Sequence, residues 1–303
     1  MPRTSRSAGT TGTTTRRRLP AGTTTRRRLP AVAALAAATA LVAGATAPAY
    51  AAEPAPVAPV VEGRAAFHPD RDFAGSTVAA HEGRSGTAPL AALAATQTPG
   101  LDVSSYQGNV NWSGAAANGA RFAYVKATEG TGYVNPYFAQ QYNGSYNAGL
   151  IRGAYHFALP NSSSGATQAN YLVDHGGGWS ADGRTLPPAL DIEYNPYGAT
   201  CYGLSQSAMV SWIRSFSDTV HTRTGRYPTI YTTVNWWSQC TGDNGGFGAT
   251  NPLWLARYGS TIGALPNGWG YQTIWQYSDS GTFPGDQDLF NGAADRLRAL
   301  ALG

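Results

Sequence analysis

The stretch that decides the fold is Pro187-Pro188-Ala189-Leu190-Asp191-Ile192-Glu193, an apolar run that ends in two acids. Side chains alternate along a strand, so the two acids share one face with Ala189. Leu190 and Ile192 then point the other way, into apolar packing. With a rise of about 3.3 Å per residue, the Cα atoms of the two acids are about 6.6 Å apart. The run predicts a buried strand with paired carboxylates at its carboxyl end.

Paired carboxylates of this kind suit one chemistry in particular. Two carboxylates held together cannot both ionise at low cost, so the pKa of one rises and it becomes a general acid near neutral pH. Glycoside cleavage needs an acid for the leaving oxygen and a carboxylate for the positive charge that develops on the sugar carbon. Glu129 and Glu193 are the two glutamates of residues 98–303. A solvated strand end with two surface acids is the alternative that the pattern alone leaves open.

Other short apolar runs are predicted as strands, with helices between several of them. The predicted strands cover residues 100–103, 122–126, 151–157, 188–192, 229–232, 253–256 and 273–277. The clearest helix follows Ser205 and stops at Gly225, and another runs over about residues 136–148. Strands that alternate with helices indicate a parallel α/β fold. A barrel is favoured over a doubly wound sheet, because no glycine-rich phosphate turn follows the first strand. Helices are sparse after Thr232.

Further acids lie next to other predicted strands. Asp102 ends the first strand, although a turn-capping role is the alternative for this residue alone. Asp286 and Asp288 form an Asp-x-Asp run that lacks the remaining ligands of an EF-hand loop, so no metal site is predicted. Catalytic groups of parallel barrels lie at the carboxyl ends of the strands, which makes these acids candidates for the same site.

Histidine, serine and aromatic residues offer further candidates for a functional site. His156 ends a strand between aromatic residues and is interpreted as structural. No Gly-x-Ser-x-Gly or His-Glu-x-x-His run occurs, so a serine hydrolase and the commonest zinc peptidases have no support. Aromatic side chains near strand ends are candidates for contacts with sugar rings, and core packing is their alternative role. They are Tyr133, Tyr137, Tyr155, Tyr194, Trp236, Trp237, Trp275 and Tyr277.

The N-terminal part has the organisation of a secretory signal peptide over residues 1–51. Two Arg triplets precede an alanine-rich run, which is too short and too weakly apolar for a membrane span, and Ala49-Tyr50-Ala51 is a small-x-small cleavage signal. Residues 52–98 are rich in Ala, Pro and Gly and are predicted to be a propeptide or flexible linker. Residues 99–303 are the predicted catalytic domain.

Charge and cysteine content limit the partners. The whole chain has a net charge of +4, but residues 98–303 contain nine Arg and one Lys against ten Asp and two Glu, a net charge of −2. Nucleic-acid binding needs clustered Lys and Arg, so no nucleic-acid partner is predicted, and no membrane partner once the signal peptide is removed. In an exported chain, Cys201 and Cys240 are best interpreted as one disulfide. Neither has a Cys or His at metal-ligand spacing.

Five ordered motifs together resemble the glycoside hydrolase family 25 lysozymes, and most of all the secreted actinomycete (Streptomyces-type) muramidases. The motifs are Leu101-Asp102-Val103-Ser104 with Gln107-Gly108, Lys126-Ala127-Thr128-Glu129-Gly130, Gly153-Ala154-Tyr155-His156-Phe157, Leu190-Asp191-Ile192-Glu193 and Trp275-Gln276-Tyr277. The resemblance covers the chain from about Gly100 onwards. It implies a modified TIM-like β/α barrel with fewer helices than a full eightfold barrel. It also implies hydrolysis of the β-1,4 bond between N-acetylmuramic acid and N-acetylglucosamine in peptidoglycan. We expect a secreted, extracellular monomer that needs no cofactor.

The resemblance also implies roles for individual residues. Glu193 is the expected general acid/base, and Asp191 is either the nucleophile or the group that orients the substrate's 2-acetamido group for attack. Asp102 is expected to support the site from across the barrel. Supporting or substrate-binding roles are implied for Asp288 (with Asp286 as the alternative fourth carboxylate), Glu129, Tyr155, Trp275 and Tyr277. Cys201 and Cys240 correspond to the disulfide of that subgroup. The alternative functions are a non-catalytic wall-glycan-binding module and a glycosidase acting on another N-acetylated glycan such as chitin.

Overall fold

The computed structural model describes residues 67–84 and 97–303. The predicted signal peptide and the remainder of the predicted 52–98 segment lie outside the described residues. All described residues belong to one compact unit, residues 59–303.

Eight strands of the described chain close into a barrel, in the order β1-β2-β4-β5-β6-β7-β8-β9, with β9 paired back to β1. Neighbouring strands are parallel except at β9, which runs antiparallel to both β8 and β1. A short strand, β3, adds to the end of β2. The strands are β1 Thr98–Val103, β2 Phe122–Glu129, β3 Tyr133–Val134, β4 Ile151–Phe157, β5 Ala189–Asp191, β6 Thr229–Thr232, β7 Leu253–Ala256, β8 Ile274–Ser278 and β9 Asp286–Phe290.

Seven α-helices occur in the described residues, and none of them lies between β7 and β9. They are α1 Val78–Glu82, α2 Trp112–Ala117, α3 Phe138–Asn147, α4 Gly165–Asp174, α5 Gln206–Thr224, α6 Val234–Thr241 and α7 Ala294–Leu302. The prediction of a TIM-like α/β barrel with a reduced number of helices is confirmed. No helix within residues 67–84 and 97–303 has both the length and the apolar character needed to cross a bilayer.

Helix α5 shows how local sequence signals set the helix ends. The hydroxyl of Ser205 accepts a hydrogen bond from the amide of Ala208 at 3.3 Å, and so satisfies one of the free N–H groups of the first turn. Gly225 ends the helix in the left-handed conformation, with φ of +76°. The predicted start and stop of this helix are therefore confirmed.

The two faces of β5 contact different parts of the core, as the alternation predicts. Ala189 lies among the large aromatic side chains inside the barrel, including Tyr155 and Trp254. Leu190 and Ile192 instead pack into the layer between barrel and helices, together with residues of α5. All five side chains are fully buried. Burial of a large apolar side chain contributes about 1.5–3 kcal/mol, so this alternation fixes which face carries the acids.

Two features of the strands differ from the sequence prediction. β5 covers only Ala189–Asp191, so Glu193 lies just beyond the strand end. The ladder nevertheless continues for one residue, because the Ile192 amide donates to the carbonyl of Tyr231 at 3.0 Å. β9 was not predicted at all, since Pro284-Gly285-Asp286-Gln287-Asp288 has the composition of a loop.

Cys201 and Cys240 form the predicted disulfide, with their Cα atoms 5.3 Å apart. Cys201 lies in the loop after β5, and Cys240 lies in α6. The crosslink therefore ties the loop that follows the two acids to a helix of the outer layer.

Candidate active site

Four acidic side chains lie at the carboxyl ends of the parallel strands, on the inside of the barrel. Asp102 comes from β1, Asp191 ends β5, and Glu193 follows it. β9 runs in the opposite direction, so its first residue, Asp286, lies at the same end and pairs directly with Asp102. Each of the four is at most 3% exposed. The topology thus brings together acids that are up to 184 residues apart in the sequence numbering, from 102 to 286.

Burial raises the pKa of every one of these acids. The pKa of Glu193 rises to about 7 and that of Asp102 to about 8, and burial is the main cause in both cases. Burial also raises the pKa of Asp191 well above its usual range, and the neighbouring charge of Glu193 raises it further. For Asp286, burial and then the charge of Asp102 act in the same direction. Glu193 therefore exchanges a proton near neutral pH, as a general acid must.

Asp191 differs from the other acids in its hydrogen bonding. Neither of its carboxylate oxygens receives a hydrogen bond from the described residues, although the side chain is only 1% exposed. A buried acceptor without a donor is costly, so native structures seldom keep one without a function. Both oxygens of Asp191 can therefore accept a hydrogen bond from a donor that the described residues do not supply.

Gln276 of β8 joins the acids on the opposite wall. Its Nε2 donates to Oδ2 of Asp102 at 2.8 Å, and Oδ2 of Asp286 lies 3.1 Å from the same nitrogen and shares its hydrogens. Its Oε1 accepts from the hydroxyl of Tyr231 at 2.7 Å. Its neighbours Trp275 and Tyr277 are the residues predicted from the sequence, whereas strand alternation places Gln276 on the opposite, inward face.

The structure does not bring Trp275 and Tyr277 to the carboxylates. Both side chains lie on the face of β8 opposite to Gln276, where they pack with Leu289. The Trp275 indole N–H donates to the carbonyl of Arg257 at 2.8 Å. Trp236 and Trp237, which were also considered as sugar-ring contacts, are fully buried in the layer between barrel and helices.

The two acids of the Asp-x-Asp run take different places. Asp286 lies opposite Asp102 and shares the amide of Gln276 with it. Asp288 pairs with Gly100, further down the barrel, and accepts a hydrogen bond from the Trp254 indole at 2.9 Å. Burial and the charge of Asp102 raise the pKa of Asp288 well above its usual range. Asp286 is therefore the member of the run at the mouth of the barrel.

A buried ion pair lies at the end of β2. Nζ of Lys126 is 2.6 Å from Oε2 of Glu129, and both side chains are fully buried. The hydroxyl of Tyr197 lies 3.0 Å from the other oxygen, Oε1, within hydrogen-bond distance. Burial raises the pKa of Glu129, and Lys126 opposes that rise. Lys126 and Tyr197 were not selected from the sequence, because only the fold places them beside Glu129.

His156 lies on the helical side of β4 rather than at the barrel mouth. Its Nδ1 pairs with the hydroxyl of Thr128 at 2.8 Å, and its Nε2 pairs with Oε1 of Gln168 at 2.9 Å. The ring is close to Phe216 of α5. Burial lowers the pKa of this imidazole to about 4, so it is neutral at ordinary pH. Its contacts match the structural interpretation.

Residues 67–84, here called the cleft segment, lie across the mouth of the barrel. The amide of Gly75 donates to Oε1 of Glu193 at 2.7 Å, and the hydroxyl of Thr77 donates to Oε2 of the same side chain. The amide of Ala74 donates to the hydroxyl of Tyr155 at 3.2 Å. No local pattern predicts these contacts, because the segment has no periodicity.

Comparison with known proteins places this arrangement in a family. Residues 101–286 match the sequence model of the family described as "Glycosyl hydrolases family 25". An N,O-diacetylmuramidase of Chalaropsis sp is 53% identical over 208 residues, which cover 67% of this chain and 99% of that protein. Lysozyme M1 of Streptomyces globisporus is 51% identical over 207 residues, which cover 67% of this chain and 70% of that protein.

Solved structures agree with the sequence relatives. The bacterial lysozyme from Streptomyces coelicolor matches with a TM-score of 0.66 and 50% identity, covering 68% of this chain and 97% of that chain. The muramidase from Trichobolus zukalii matches with a TM-score of 0.67 and 56% identity, covering 68% of this chain and 99% of that chain. The barrel, its buried acids and these similarities have one explanation: the chain is a glycoside hydrolase and belongs to glycosyl hydrolases family 25.

Proposed function

We propose that this chain is a lysozyme that hydrolyses the β-1,4 bond between N-acetylmuramic acid and N-acetylglucosamine in peptidoglycan. In this proposal Glu193 is the general acid/base, and Asp191 orients the substrate's 2-acetamido group. The main support for this proposal is that Glu193 and Asp191 lie together at the barrel mouth and differ in their hydrogen bonding. The pKa of Glu193 is raised to about 7. The pKa of Asp191 is raised as well, and its oxygens accept no hydrogen bond from the described residues, so an acetamido N–H would favour its ionised form.

The first step breaks the glycosidic bond. The protonated Glu193 gives its proton to the glycosidic oxygen, which leaves with the bonding electron pair. The acetamido carbonyl oxygen of the N-acetylmuramic acid attacks the anomeric carbon of that sugar, while the acetamido N–H donates to Asp191. Asp191 then stabilises the positive charge that spreads onto the acetamido group. A direct attack by the Asp191 carboxylate is the alternative route.

The second step restores the enzyme. A water molecule attacks the anomeric carbon, and the Glu193 carboxylate removes a proton from it. The bond between the anomeric carbon and the acetamido oxygen breaks, and its electron pair returns to the acetamido group. Two inversions at the anomeric carbon give net retention of configuration.

Other side chains at the mouth support these two. We propose that Asp102, Asp286 and Gln276 form the opposite wall, which positions the sugar beside Asp191. Their shared hydrogen bonds through the amide of Gln276 support this role. Tyr155 offers a hydroxyl at the mouth. Glu129 lies beside the mouth, and its pair with Lys126 keeps its charge balanced.

The alternatives are less well supported. A non-catalytic wall-binding module has no need of an acid with a pKa near 7 beside a carboxylate without a hydrogen-bond donor. A glycosidase on another N-acetylated glycan, such as chitin, would use the same chemistry. Relatives named lysozyme and muramidase favour peptidoglycan over that alternative.

The organisation of the whole chain follows from the same proposal. We infer that residues 1–51 direct export and are removed, and that residues 99–303 are the catalytic domain. The enzyme then meets its polymeric substrate outside the cell and acts as a monomer, without a nucleic-acid or membrane partner.

Product analysis on purified peptidoglycan tests the proposed function. The whole chain and a chain that begins at Gln97 are each incubated with purified walls, and the new reducing ends are labelled and identified. The Streptomyces coelicolor relative, which corresponds to the barrel over nearly its whole length, justifies the shorter chain. New ends at muramic acid are expected from at least one of the two. New ends at glucosamine, or none from either chain, would overturn the proposal.

A further inference from the structure

We infer that the cleft segment, residues 67–84, is a built-in inhibitor that occupies the glycan-binding mouth of the barrel. The inference rests on the proposed role of Glu193 as the general acid. It concerns a part of the chain that the family match over residues 101–286 does not include.

The segment engages both oxygens of the proposed acid. Oε1 of Glu193 accepts the amide of Gly75 at 2.7 Å, and Oε2 accepts the hydroxyl of Thr77. A general acid must have one oxygen within about 3 Å of the leaving oxygen of the substrate. Both oxygens are directed to the segment here, so a glycosidic oxygen cannot take that position while the segment is in place.

The chain at Ala74 and Gly75 enters the mouth of the barrel. Ala74 is fully buried, and its carbonyl accepts a hydrogen bond from Nε2 of Gln276 at 2.8 Å. The carbonyl of Gly75 accepts from the hydroxyl of Tyr258 at 3.1 Å. The Ala74 carbonyl therefore contacts Gln276, which the proposed mechanism places beside the sugar, and the Gly75 carbonyl contacts the neighbouring hydroxyl of Tyr258.

The chemistry of the contact explains why a peptide fits a sugar site. An acetamido group carries one N–H and one C=O on a planar amide, and so does a peptide unit. A mouth that binds acetamido groups has donors and acceptors at the spacing that a peptide unit also uses. The segment thus occupies Glu193 and Gln276 at the mouth, and it leaves the oxygens of Asp191 without a donor.

Contacts on both sides of the mouth hold the segment in place. On one side, Nζ of Lys126 donates to the carbonyl of Pro69 at 3.0 Å, and Tyr197 donates to the carboxylate of Asp72. Phe67 packs against the ring of Tyr197, with centroids 5.3 Å apart. The segment is therefore anchored at its N-terminal end by the residues around Glu129.

The C-terminal end of the segment is anchored beyond Glu193. His81 stacks on Tyr194 with ring centroids 4.0 Å apart, and the Tyr194 hydroxyl donates to Glu82 at 2.8 Å. Nε of Arg84 donates to Oδ2 of Asp279 at 2.9 Å. Because the segment is part of the same chain, its effective concentration at the mouth is in the millimolar range or above. A soluble glycan strand must compete against that concentration.

A substitution at Gly75 is expected to push the cleft segment out of the mouth of the barrel. It has φ of +95°, and a Cβ here would lie 2.6 Å from Oε1 of Gln276 and 2.9 Å from the hydroxyl of Tyr231, and closer still to that of Tyr258. Gly75→Ala is therefore expected to displace the segment, while every residue of the barrel keeps its identity. Gly83 is the matched control, because it also has a positive φ (+73°), but a Cβ there meets no atom within 4 Å.

The experiment compares the full chain with its Gly75→Ala and Gly83→Ala variants on purified peptidoglycan walls. Initial rates of turbidity loss and the fraction of enzyme bound to the walls are both measured. We expect Gly75→Ala to lyse the walls at least tenfold faster than the unsubstituted chain and to bind them more tightly. Gly83→Ala should match the unsubstituted chain in both measurements. Thr77→Val, which removes one donor to Glu193 and keeps the side-chain shape, should give an intermediate rate.

The two readouts separate this inference from the proposed function. Equal rates and equal wall binding for the full chain and Gly75→Ala would overturn the inhibitory role. Tighter wall binding by Gly75→Ala with no lysis by any variant would keep the inhibitory role and overturn the lysozyme assignment. A gain of activity from a substitution in the segment cannot be produced by damage to the barrel.

Discussion

The amide nitrogen of Gly75 lies 2.7 Å from Oε1 of Glu193, although 118 residues separate the two along the chain. A backbone N–H is a fixed donor, so this hydrogen bond depends on where the whole cleft segment lies. The relationship joins a part of the chain that precedes the barrel to the side chain with the central role in the proposed mechanism. Access of a substrate to Glu193 therefore depends on whether the cleft segment is in place.

The buried pair of Lys126 and Glu129 leads to a prediction about stability. Lys126→Met leaves Glu129 buried without its cation, and the loss of one partner of such a pair costs about 3–5 kcal/mol. We expect a decrease of that size in the free energy of unfolding, measured by urea denaturation. The double variant Lys126→Met/Glu129→Gln should recover most of it. Both variants lose the same Lys126 contacts with the cleft segment, so equal instability of the two would contradict a role for the pair.

The buried acids predict how stability depends on pH. The pKa of Glu193 is raised from 4.5 to about 7 and that of Asp102 from 3.8 to about 8. Such acids keep a proton that the unfolded chain releases, so their stabilising contribution is complete below about pH 4 and is lost as the pH rises through about 7 to 8. We expect the free energy of unfolding to fall between about pH 7 and about pH 8.5.

His156 does not change the free energy of unfolding between about pH 7 and about pH 8.5. Its pKa is lowered to about 4 from 6.5, so its contribution is present above pH 6.5 and is lost only as the pH falls towards 4. Asp102→Asn is the matched control, and the pH dependence should be shallower in that variant. Stability that stayed constant or rose between the two pH values would contradict the raised pKa values.

The disulfide predicts a separate loss of stability. Cys201 and Cys240 are 39 residues apart, and a crosslink that closes a loop of this length restricts the unfolded chain by about 3–4 kcal/mol. The double variant Cys201→Ala/Cys240→Ala should lose about that much free energy of unfolding. Reduction of the native protein should shift its denaturation curve by a similar amount. A reduced protein as stable as the oxidised one would show that the crosslink contributes nothing.

Much of the barrel and of its acids could be predicted from local sequence. The acids at the end of β5 followed from alternation along an apolar run, and the ends of α5 followed from the capping residues Ser205 and Gly225. These signals are local, because each depends on residues within a few positions of one another. Asp102 was a candidate because it ends the first predicted strand, with a turn-capping role as the alternative, and it lies with Asp191 and Glu193 at the barrel mouth.

The remaining parts depend on contacts between distant residues. β9 has a polar and glycine-containing sequence, and it is a strand because it fills the gap between β1 and β8. Trp275 and Tyr277 were chosen for their aromatic rings, but alternation places Gln276 inside the barrel instead. The cleft segment has the composition of a linker, and its position follows from hydrogen bonds to residues more than 50 positions away. No local pattern carries that information.

Asp191 tests the route of the reaction. With Asp191→Asn, the side-chain oxygen can still accept the acetamido N–H, but its charge no longer stabilises the cation that develops. We expect turnover on purified walls to fall about 100-fold, with residual activity and retained anomeric configuration. Complete loss of cleavage, with a trapped glycosyl adduct on Asp191 in the unsubstituted protein, would instead identify Asp191 as the nucleophile.

The measurement that tests the account most directly is wall lysis by Glu193→Gln in the Gly75→Ala background. Glutamine keeps the size and polarity of the side chain but has no proton to give to the leaving oxygen. We expect about a 1000-fold loss in the rate of turbidity decrease, with binding to purified walls unchanged. Lysis at the rate of the Gly75→Ala protein would contradict the assignment of Glu193 as the general acid.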